Sequence, residues 1–327
     1  MAKIRDSIKP LIHTPAEQAR DYVAYAENIK ANPGIPLGVP MLDKAIIPAR
    51  PGQLVVFTAR PGCGKTSFMA RWAKVEAQRI QKRGKAAEEC VVYVTLEQVA
   101  EEMESFFQCG GRYSLTDFAW GRVDLDVIKE QSVSRAALPI WVIGHSISNA
   151  GKKAERMFPE TVMEALMGMR ETYNIQPTLI CFDYMQLFPI KGAQGRVEQV
   201  TEAPNRIKEV AKMIGAVGAV GAQAKQEVDG SADKIPGPDD AQWASSIHQT
   251  ADKHFSFMRP SVYYPEDAFI QLEDQTGPVK VTSNLFVMRK LKERFNTPRA
   301  QWLLHFDPAL LRLEELDVRS KAIDADY

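Results

Sequence analysis

Cysteine is scarce in this chain, and its few cysteines lack the spacing of a metal site. Four occur among 327 residues, at positions 63, 90, 109 and 181, so no pair has the close spacing that zinc sites use. Cys90 and Cys181 lie within apolar runs, where a buried thiol behaves as a small hydrophobic residue. This usage predicts a reduced interior, and we expect a cytoplasmic location.

Long apolar runs and net charge are also missing. No stretch approaches the roughly 18–20 uninterrupted apolar residues of a membrane span, so we expect no membrane contact. The first residues are partly basic without an apolar segment behind them, and we do not expect a signal peptide. Basic and acidic side chains balance at 41 each, which argues against a protein that coats nucleic acid with its whole surface but allows a local basic loop.

The apolar runs that are present alternate between strand and helix. Apolar residues make up 45% of the chain, as in soluble globular proteins, and we find no internal repeat. Predicted strands lie at 54–58, 90–95, 140–143, 178–182 and 216–222. The predicted helices between them include 65–82, 159–173 and 203–214. This alternation is typical of an α/β fold, a mostly parallel sheet with helices on both faces.

After about residue 253 the pattern changes to strands without intervening helices. The predicted strands are 254–258, 267–272, 279–288 and 301–306. We expect them to form antiparallel hairpins that extend the sheet. The sequence therefore predicts an N-terminal segment at 1–34, a main domain at 35–316 and a C-terminal tail at 317–327.

The N-terminal segment contains a predicted amphipathic helix at 14–30. Thr14 is a suitable N-cap, Pro15 suits the first helical position, and Glu17 completes a capping box. One face of this helix is apolar, so it should dock either on its own domain or on a neighbouring subunit.

A phosphate-binding loop is predicted at Ala59–Thr66, between a strand and a helix. The pattern ends in Gly-Lys-Thr, although Ala59 stands where its first glycine is usual. Backbone N–H groups of such a turn converge on phosphate oxygens at a helix N-terminus. Lys65 should reach the β- and γ-phosphates of ATP, and the Thr66 hydroxyl should ligate Mg²⁺. The predicted nucleotide-binding residues are Arg60, Pro61, Gly62, Cys63, Gly64, Lys65, Thr66 and Ser67.

Three polar residues follow other predicted strands of the same sheet. Asp183 ends an apolar strand and should hold Mg²⁺ through water, although it could simply cap the next turn. Glu97 should orient the attacking water, although it could be a solvent-facing helix-start residue. Gln223 should sense the γ-phosphate and move the following loop. Alternatively, its amide forms ordinary hydrogen bonds within that loop. The carboxyl ends of parallel strands share one edge, so the three should meet there.

At these residues the chain resembles the RecA-like motor domain of hexameric replicative DNA helicases of the DnaB type. The resemblance rests on Ala59-Arg60-Pro61 opening the loop, Leu96-Glu97, the string 183–187 (Asp-Tyr-Met-Gln-Leu), and Gln223. A weaker similarity covers 247–252. It spans nearly the whole chain and implies a RecA-like P-loop core preceded by a linker helix.

The resemblance implies an active site shared between subunits. Lys292 and Arg294 occupy the place of the family's basic finger, with Arg294 as the arginine finger and Lys292 as a second γ-phosphate contact of the neighbouring site. Alternatively, the late basic residues form a solvated hairpin, and Arg289 or Arg299 are the next candidates for the finger. The helix at 14–30 matches the linker helix, which implies docking on the adjacent motor domain.

Two departures from the family pattern affect its expected partners. The residues before position 14 are too few for the helical N-terminal domain of many members, so we expect neither that domain nor the primase contact that it would make. Gln242 and Trp243 stand where the DNA-facing loop usually carries arginine and glutamate. The DNA-binding candidates are instead Lys191, Arg196, Lys225 and Lys234, although each could be an ordinary surface cation.

The expected function is an ATP- and Mg²⁺-dependent DNA helicase. It would form a hexameric ring or spiral and translocate on single-stranded DNA, 5′ to 3′ by resemblance. A helicase loader or other replication proteins are possible partners, and a bacterial cell or a phage or mobile element in its host is the expected setting. Two alternatives remain open: an adaptor ATPase of this fold that does not unwind DNA, and a RecA-like recombinase filament.

Overall fold

A computed structural model describes residues 9–231, 234–241, 245–272, 275, 277–295 and 299–316. Its α-helices are α1 (Pro15–Ala31), α2 (Pro40–Ala45), α3 (Lys65–Lys82), α4 (Ala100–Gln108), α5 (Leu115–Ala119), α6 (Leu125–Ala136), α7 (Pro159–Tyr173), α8 (Arg196–Ile214) and α9 (Ser245–Thr250). Within this part of the chain, no helix has the length and apolar character needed to cross a membrane.

A nine-stranded sheet forms the centre of the domain, in the order β11-β10-β9-β6-β1-β5-β4-β2-β3. Its strands are β1 (Leu54–Ala59), β2 (Glu89–Thr95), β3 (Ile140–Ile143), β4 (Gln176–Asp183), β5 (Val217–Gln223), β6 (Lys253–Met258), β9 (Leu285–Glu293), β10 (Ala300–Asp307) and β11 (Arg312–Glu315). The six strands from β6 to β3 in this order pair in parallel, and β9, β10 and β11 add antiparallel pairs. The predicted fold class is confirmed.

The order of side chains along β1 shows why both faces of the sheet carry helices. Val55 and Phe57 pack in one core with α3, whereas Leu54 and Val56 pack in a second core with α7 and α8. All four side chains are fully buried. A strand that is apolar on both faces has to be covered on both, as in parallel sheets generally.

Three predictions about the later elements were wrong in detail. The strand predicted at 254–258 forms the expected antiparallel pair with β9, but β6 also pairs in parallel with β1, which was not expected. The run 267–272 contributes only β7 (Phe269–Ile270), which pairs with β8 (Val279–Lys280) in a separate ribbon. The predicted helix 203–214 begins earlier, at Arg196, and continues through the buried Pro204.

The predicted N-terminal helix is confirmed as α1. Its capping box is formed: the Glu17 N–H donates to Thr14 Oγ1 at 3.3 Å, and the Thr14 N–H donates to Glu17 Oε2 at 2.8 Å. None of the residues of α1 is buried in this chain, and its aromatic Tyr22 is 68% exposed. The apolar face of the helix is therefore not covered by its own domain.

Candidate active site

The order of the central strands brings the predicted site residues to one edge of the sheet. Ala59 at the end of β1 is the register partner of Gln223 at the end of β5. Thr95 at the end of β2 is the partner of Asp183 at the end of β4. Because β1, β5, β4 and β2 are consecutive neighbours, the phosphate loop, Gln223, Asp183 and Glu97 follow one another along this edge.

The phosphate loop has the backbone geometry that its two glycines predict. Gly62 and Gly64 have φ values of 77° and 85°, in the left-handed region that side chains disfavour. Helix α3 starts at Lys65, so its free N–H groups point into the loop. The Lys65 Nζ donates to the Ala59 carbonyl at 3.1 Å, which holds the ammonium across the loop.

Arg60 and Cys63 lie in the loop, but their side chains contact the rest of the domain. The Arg60 guanidinium forms a fork on the Asp229 carboxylate, with Nε–Oδ1 and Nη2–Oδ2 distances of 3.0 and 2.9 Å, and donates to the Ala224 carbonyl. Cys63 is fully buried, with its Sγ 4.0 Å from the Tyr263 hydroxyl. The structure thus places the Arg60 side chain on the segment after β5.

Asp183 has the surroundings of a magnesium-binding carboxylate. It is buried, and its Oδ2 accepts a hydrogen bond from the Tyr93 hydroxyl at 2.8 Å. Within the described residues, its Oδ1 is also buried but has no hydrogen-bond partner. An orphaned carboxylate oxygen beside Thr66 suits the hydration shell of Mg²⁺. These two residues would hold the ion, which would neutralise charge on the phosphates.

Burial and neighbouring charges set the protonation of this edge. Burial lowers the pKa of Lys65, while Asp183 and Glu97 oppose the shift. Burial also raises the pKa of Asp183, which the Tyr93 hydrogen bond and the nearby Thr66 hydroxyl and Lys65 ammonium partly offset. The pKa of Glu97 is raised by partial burial and by the nearby Asp183 charge. A carboxylate with a raised pKa is a better proton acceptor, as a residue that orients water requires.

Gln223 is tied to the loop after β4 through its backbone. The Gln186 side chain donates to the Gln223 carbonyl at 3.1 Å and accepts from its N–H at 3.2 Å. Gln186 is itself buried. The Gln223 side chain lines the cleft, and these two hydrogen bonds join the end of β5 to the segment after β4.

The cleft above this edge has a volume of about 540 Å³ and includes residues that the sequence analysis missed. They are Leu115, Thr116, Tyr184, Arg259, Pro308 and Ala309. Arg259 directly follows β6. Because β6 is parallel to β1, its carboxyl end lies at the phosphate loop, so a correct prediction of its direction would have placed Arg259 in the cleft. A second cleft of about 600 Å³ near Glu88 and Arg170 lies at the opposite ends of β2 and β4 and contains no phosphate loop.

Arg294 and Lys292 lie at the opposite edge of the sheet from the phosphate loop, where the parallel strands begin. The Arg294 Nε is 3.1 Å from Asp252 Oδ1, and the Lys292 Nζ donates to the carbonyls of His248 and Gln249. Glu293, which lies between them in sequence, is the register partner of Lys253 at the start of β6. The other end of β6, which lies near the phosphate loop, is five residues further along this strand. At about 3.3 Å per residue, roughly 16 Å separates these edges, so neither side chain reaches the cleft of its own chain.

The late basic residues are not all solvated. Arg289 is buried and donates to the Gln301 side chain across the β9–β10 pair at 3.1 and 2.9 Å. Lys290 is buried against Glu293, with its Nζ 3.2 Å from Oε2. The alternative of a uniformly solvated hairpin is wrong for these two residues: Arg289 contacts the neighbouring strand β10, and Lys290 pairs with Glu293 of its own strand.

The DNA-binding candidates lie in the two segments that follow β4 and β5. The Lys191 Nζ is 5.3 Å from the centre of the Phe158 ring, and Arg196 is the first residue of α8. The Lys225 Nζ donates to the Asp239 carbonyl at 2.8 Å, and the Lys234 Nζ donates to the Asp229 carbonyl at 2.6 Å. Gln242, Trp243 and the tail at 317–327 lie outside the described residues.

Together, the sheet order, the glycine loop and the carboxylates at one edge define a RecA-like P-loop fold. Comparison with known families agrees: the profile of the DnaB-like helicase C terminal domain matches residues 34–314. The chain belongs to this family.

Curated relatives of the chain are replicative helicases. The replicative DNA helicase DnaC of Bacillus subtilis is 26% identical over 290 residues, which cover 83% of this chain and 58% of the relative. The probable plasmid replicative DNA helicase of Chlamydia psittaci is 22% identical over 236 residues, covering 72% and 48%. The chain thus spans about half the length of the curated relatives it matches.

Solved structures show the same fold. The ATPase domain of G40P superposes with a TM-score of 0.72 at 18% identity, covering 93% of this chain and all of that domain. A DnaB-like replicative helicase, described with its interactions with primase, superposes with a TM-score of 0.70 at 19% identity, covering 91% and 66%.

Proposed function

We propose that this protein is an ATP-driven DNA helicase motor that translocates on single-stranded DNA. The observation that carries the proposal is the row of catalytic groups along one sheet edge, with the predicted finger at the other edge. ATP would bind at the phosphate loop, with Lys65 on its β- and γ-phosphates and Glu97 orienting the attacking water. Family membership supports a helicase over a recombinase filament.

The site would be completed by a second copy of the chain. Lys292 and Arg294 cannot reach their own cleft, whereas a head-to-tail neighbour would present its opposite edge there. The uncovered face of α1, with Tyr22 and Tyr25 at least half exposed, suits a linker helix that docks on that neighbour. We therefore propose a ring or spiral, with six subunits by resemblance, acting in the cytoplasm of a bacterial cell or a host.

Hydrolysis would be coupled to DNA through the segments that follow β4 and β5. Gln186 joins the two segments, and Arg60 joins the second to the phosphate loop. Lys191, Arg196, Lys225 and Lys234 would contact the backbone of the strand in 5′ to 3′ movement. Loader proteins are further candidate partners.

One observation favours the adaptor alternative. Lys225 and Lys234 both donate to carbonyls of their own loop, so they would have to be released before they contact phosphates. An adaptor would hydrolyse ATP in this arrangement without separating strands. Strand displacement by a purified hexamer would exclude it.

The first test is the ATPase rate with and without single-stranded DNA, on protein whose mass is measured in parallel. We expect stimulation by DNA together with a multi-subunit mass. Lys65→Ala should abolish turnover because it removes the ammonium that would neutralise the β- and γ-phosphates. Turnover of Lys65→Ala at the wild-type rate would contradict the phosphate-loop assignment. Turnover indifferent to DNA would favour the adaptor.

A further inference from the structure

Tyr93 is a buried hydroxyl in the middle of β2, next to the predicted magnesium carboxylate. Its register partner on β4 is Cys181, two residues before Asp183, so Tyr93 and Asp183 form a diagonal pair on one face of the sheet. Tyr93 is completely buried and Asp183 is 3% exposed. Their hydrogen bond, 2.8 Å from hydroxyl to Oδ2, is therefore shielded from water.

Tyr93 carries the one hydroxyl among the largest fully buried side chains of the described residues, and phenylalanine occupies most of the other aromatic positions. A buried hydroxyl costs free energy unless it is hydrogen-bonded. The partner that it has is the carboxylate at the site edge, which points to a role in that site.

The two carboxylate oxygens of Asp183 differ in their hydrogen bonding. Oδ2 is occupied by the phenol, while Oδ1 is buried without a partner among the described residues. The ring of Tyr93 packs edge-on against the ring of Phe107 of α4, with 5.8 Å between the ring centroids. This contact limits movement of the hydroxyl away from Oδ2.

We propose that Tyr93 is a positioning residue for the magnesium-binding carboxylate, fixing Asp183 so that Oδ1 faces the hydration shell of the ion beside Thr66. This role rests on the proposed ATPase function. Groups that orient a ligating residue in this way commonly change metal affinity by about 10- to 100-fold when they are removed.

The test is Tyr93→Phe, which removes one oxygen atom and keeps the ring. A fluorescent ATP analogue is titrated with Mg²⁺ and, separately, bound in excess EDTA. We expect the half-saturating Mg²⁺ concentration to rise about tenfold or more, while affinity for the analogue in EDTA is unchanged because the phosphate loop is intact. Thermal unfolding of each variant verifies that the fold is kept.

The matched control is Tyr113→Phe, which removes a hydroxyl that accepts a hydrogen bond from the Asp124 N–H at 3.0 Å; Tyr113 is not among the residues that line the cleft. It should leave the Mg²⁺ dependence unchanged. If Tyr93→Phe lowers only the unfolding temperature, with no change in the Mg²⁺ titration, the hydroxyl is structural and the proposal is wrong. If wild-type protein binds no nucleotide with or without Mg²⁺, the proposed ATPase function itself fails.

Discussion

His254 on β6 is fully buried, and both nitrogens of its ring have polar neighbours. Nε2 is 2.8 Å from the Thr58 hydroxyl and Nδ1 is 3.0 Å from Nδ1 of His248. Burial, with smaller contributions from the nearby His248 and Lys292, lowers the pKa of His254 to about 3. The ring is therefore neutral in the folded protein at every physiological pH.

This burial predicts a loss of stability in acid. The pKa of His254 in the folded state lies below its unfolded value of about 6.5. The stability that the neutral buried imidazole contributes is therefore fully present above pH 6.5. It is lost as pH falls toward 3, at about 1.4 kcal/mol per pH unit. His254→Gln, which keeps a polar group near Thr58, should reduce the fall in the free energy of unfolding between pH 7 and 5, measured with urea.

The control for that measurement is His145→Gln, because His145 is exposed. It should retain the wild-type dependence on pH. If His254→Gln loses stability in acid as steeply as wild-type protein does, the buried imidazole is not the cause.

Single residues also show where sequence analysis stops. Lys65, Thr66 and Asp183 were predictable because local patterns, a glycine turn or the end of an apolar strand, determine their places. Tyr93 and the Arg60 side chain were not, because their partners lie 90 and 169 residues away. Such contacts depend on strand order and loop path, which the local pattern does not contain.

At the scale of elements, the segment after β5 is fastened to the phosphate loop. Asp229 receives the Arg60 fork, and its backbone carbonyl accepts from the Lys234 Nζ. Hydrogen bonding from Arg60 lowers the pKa of Asp229, so the carboxylate stays charged at neutral pH. This is a direct contact between the nucleotide loop and a segment proposed to touch DNA.

Asp229→Asn tests this contact. The amide keeps the shape but loses the charge that holds the guanidinium, so basal ATPase should persist while stimulation by single-stranded DNA falls about fivefold or more. ATPase rates over a DNA titration measure both quantities. The exposed Asp239→Asn removes the same charge from the same segment and should be stimulated normally. If single-stranded DNA stimulates the ATPase of both variants as strongly as that of wild-type protein, the Arg60–Asp229 contact does not couple DNA binding to hydrolysis.

Elements differ in how well the sequence predicts them. The alternation of β1, α3, β2 and β4 was clear because each apolar run is long and ends in turn residues. The direction of β6 was not, since an apolar run has the same pattern in parallel and antiparallel pairs. Helices α4 to α6 were not predicted: α5 has only five residues, and neither α5 nor α6 buries a residue completely, so their periodic signal is weak.

At the scale of the whole molecule, the proposed site would be shared between two subunits, because its candidate residues lie on opposite sides of the chain. The cleft contains Lys65, Asp183 and Glu97, whereas Arg294 is paired with Asp252 about 16 Å away along β6. The Arg294 side chain is 52% exposed, so a neighbouring cleft could receive it. The account therefore predicts that catalysis requires a boundary between two subunits.

Mixing two inactive variants tests this claim most directly. Arg294→Ala should bind nucleotide without hydrolysing it, and Glu97→Gln should fail to orient water. In an equal mixture, about a quarter of randomly formed boundaries join an intact Glu97 to an intact Arg294, so we predict that ATPase activity reappears on mixing. No recovery in mixed oligomers of verified mass, or full turnover by Arg294→Ala alone, would contradict the shared site; in the second case Arg259, which lies in the chain's own cleft, becomes the candidate.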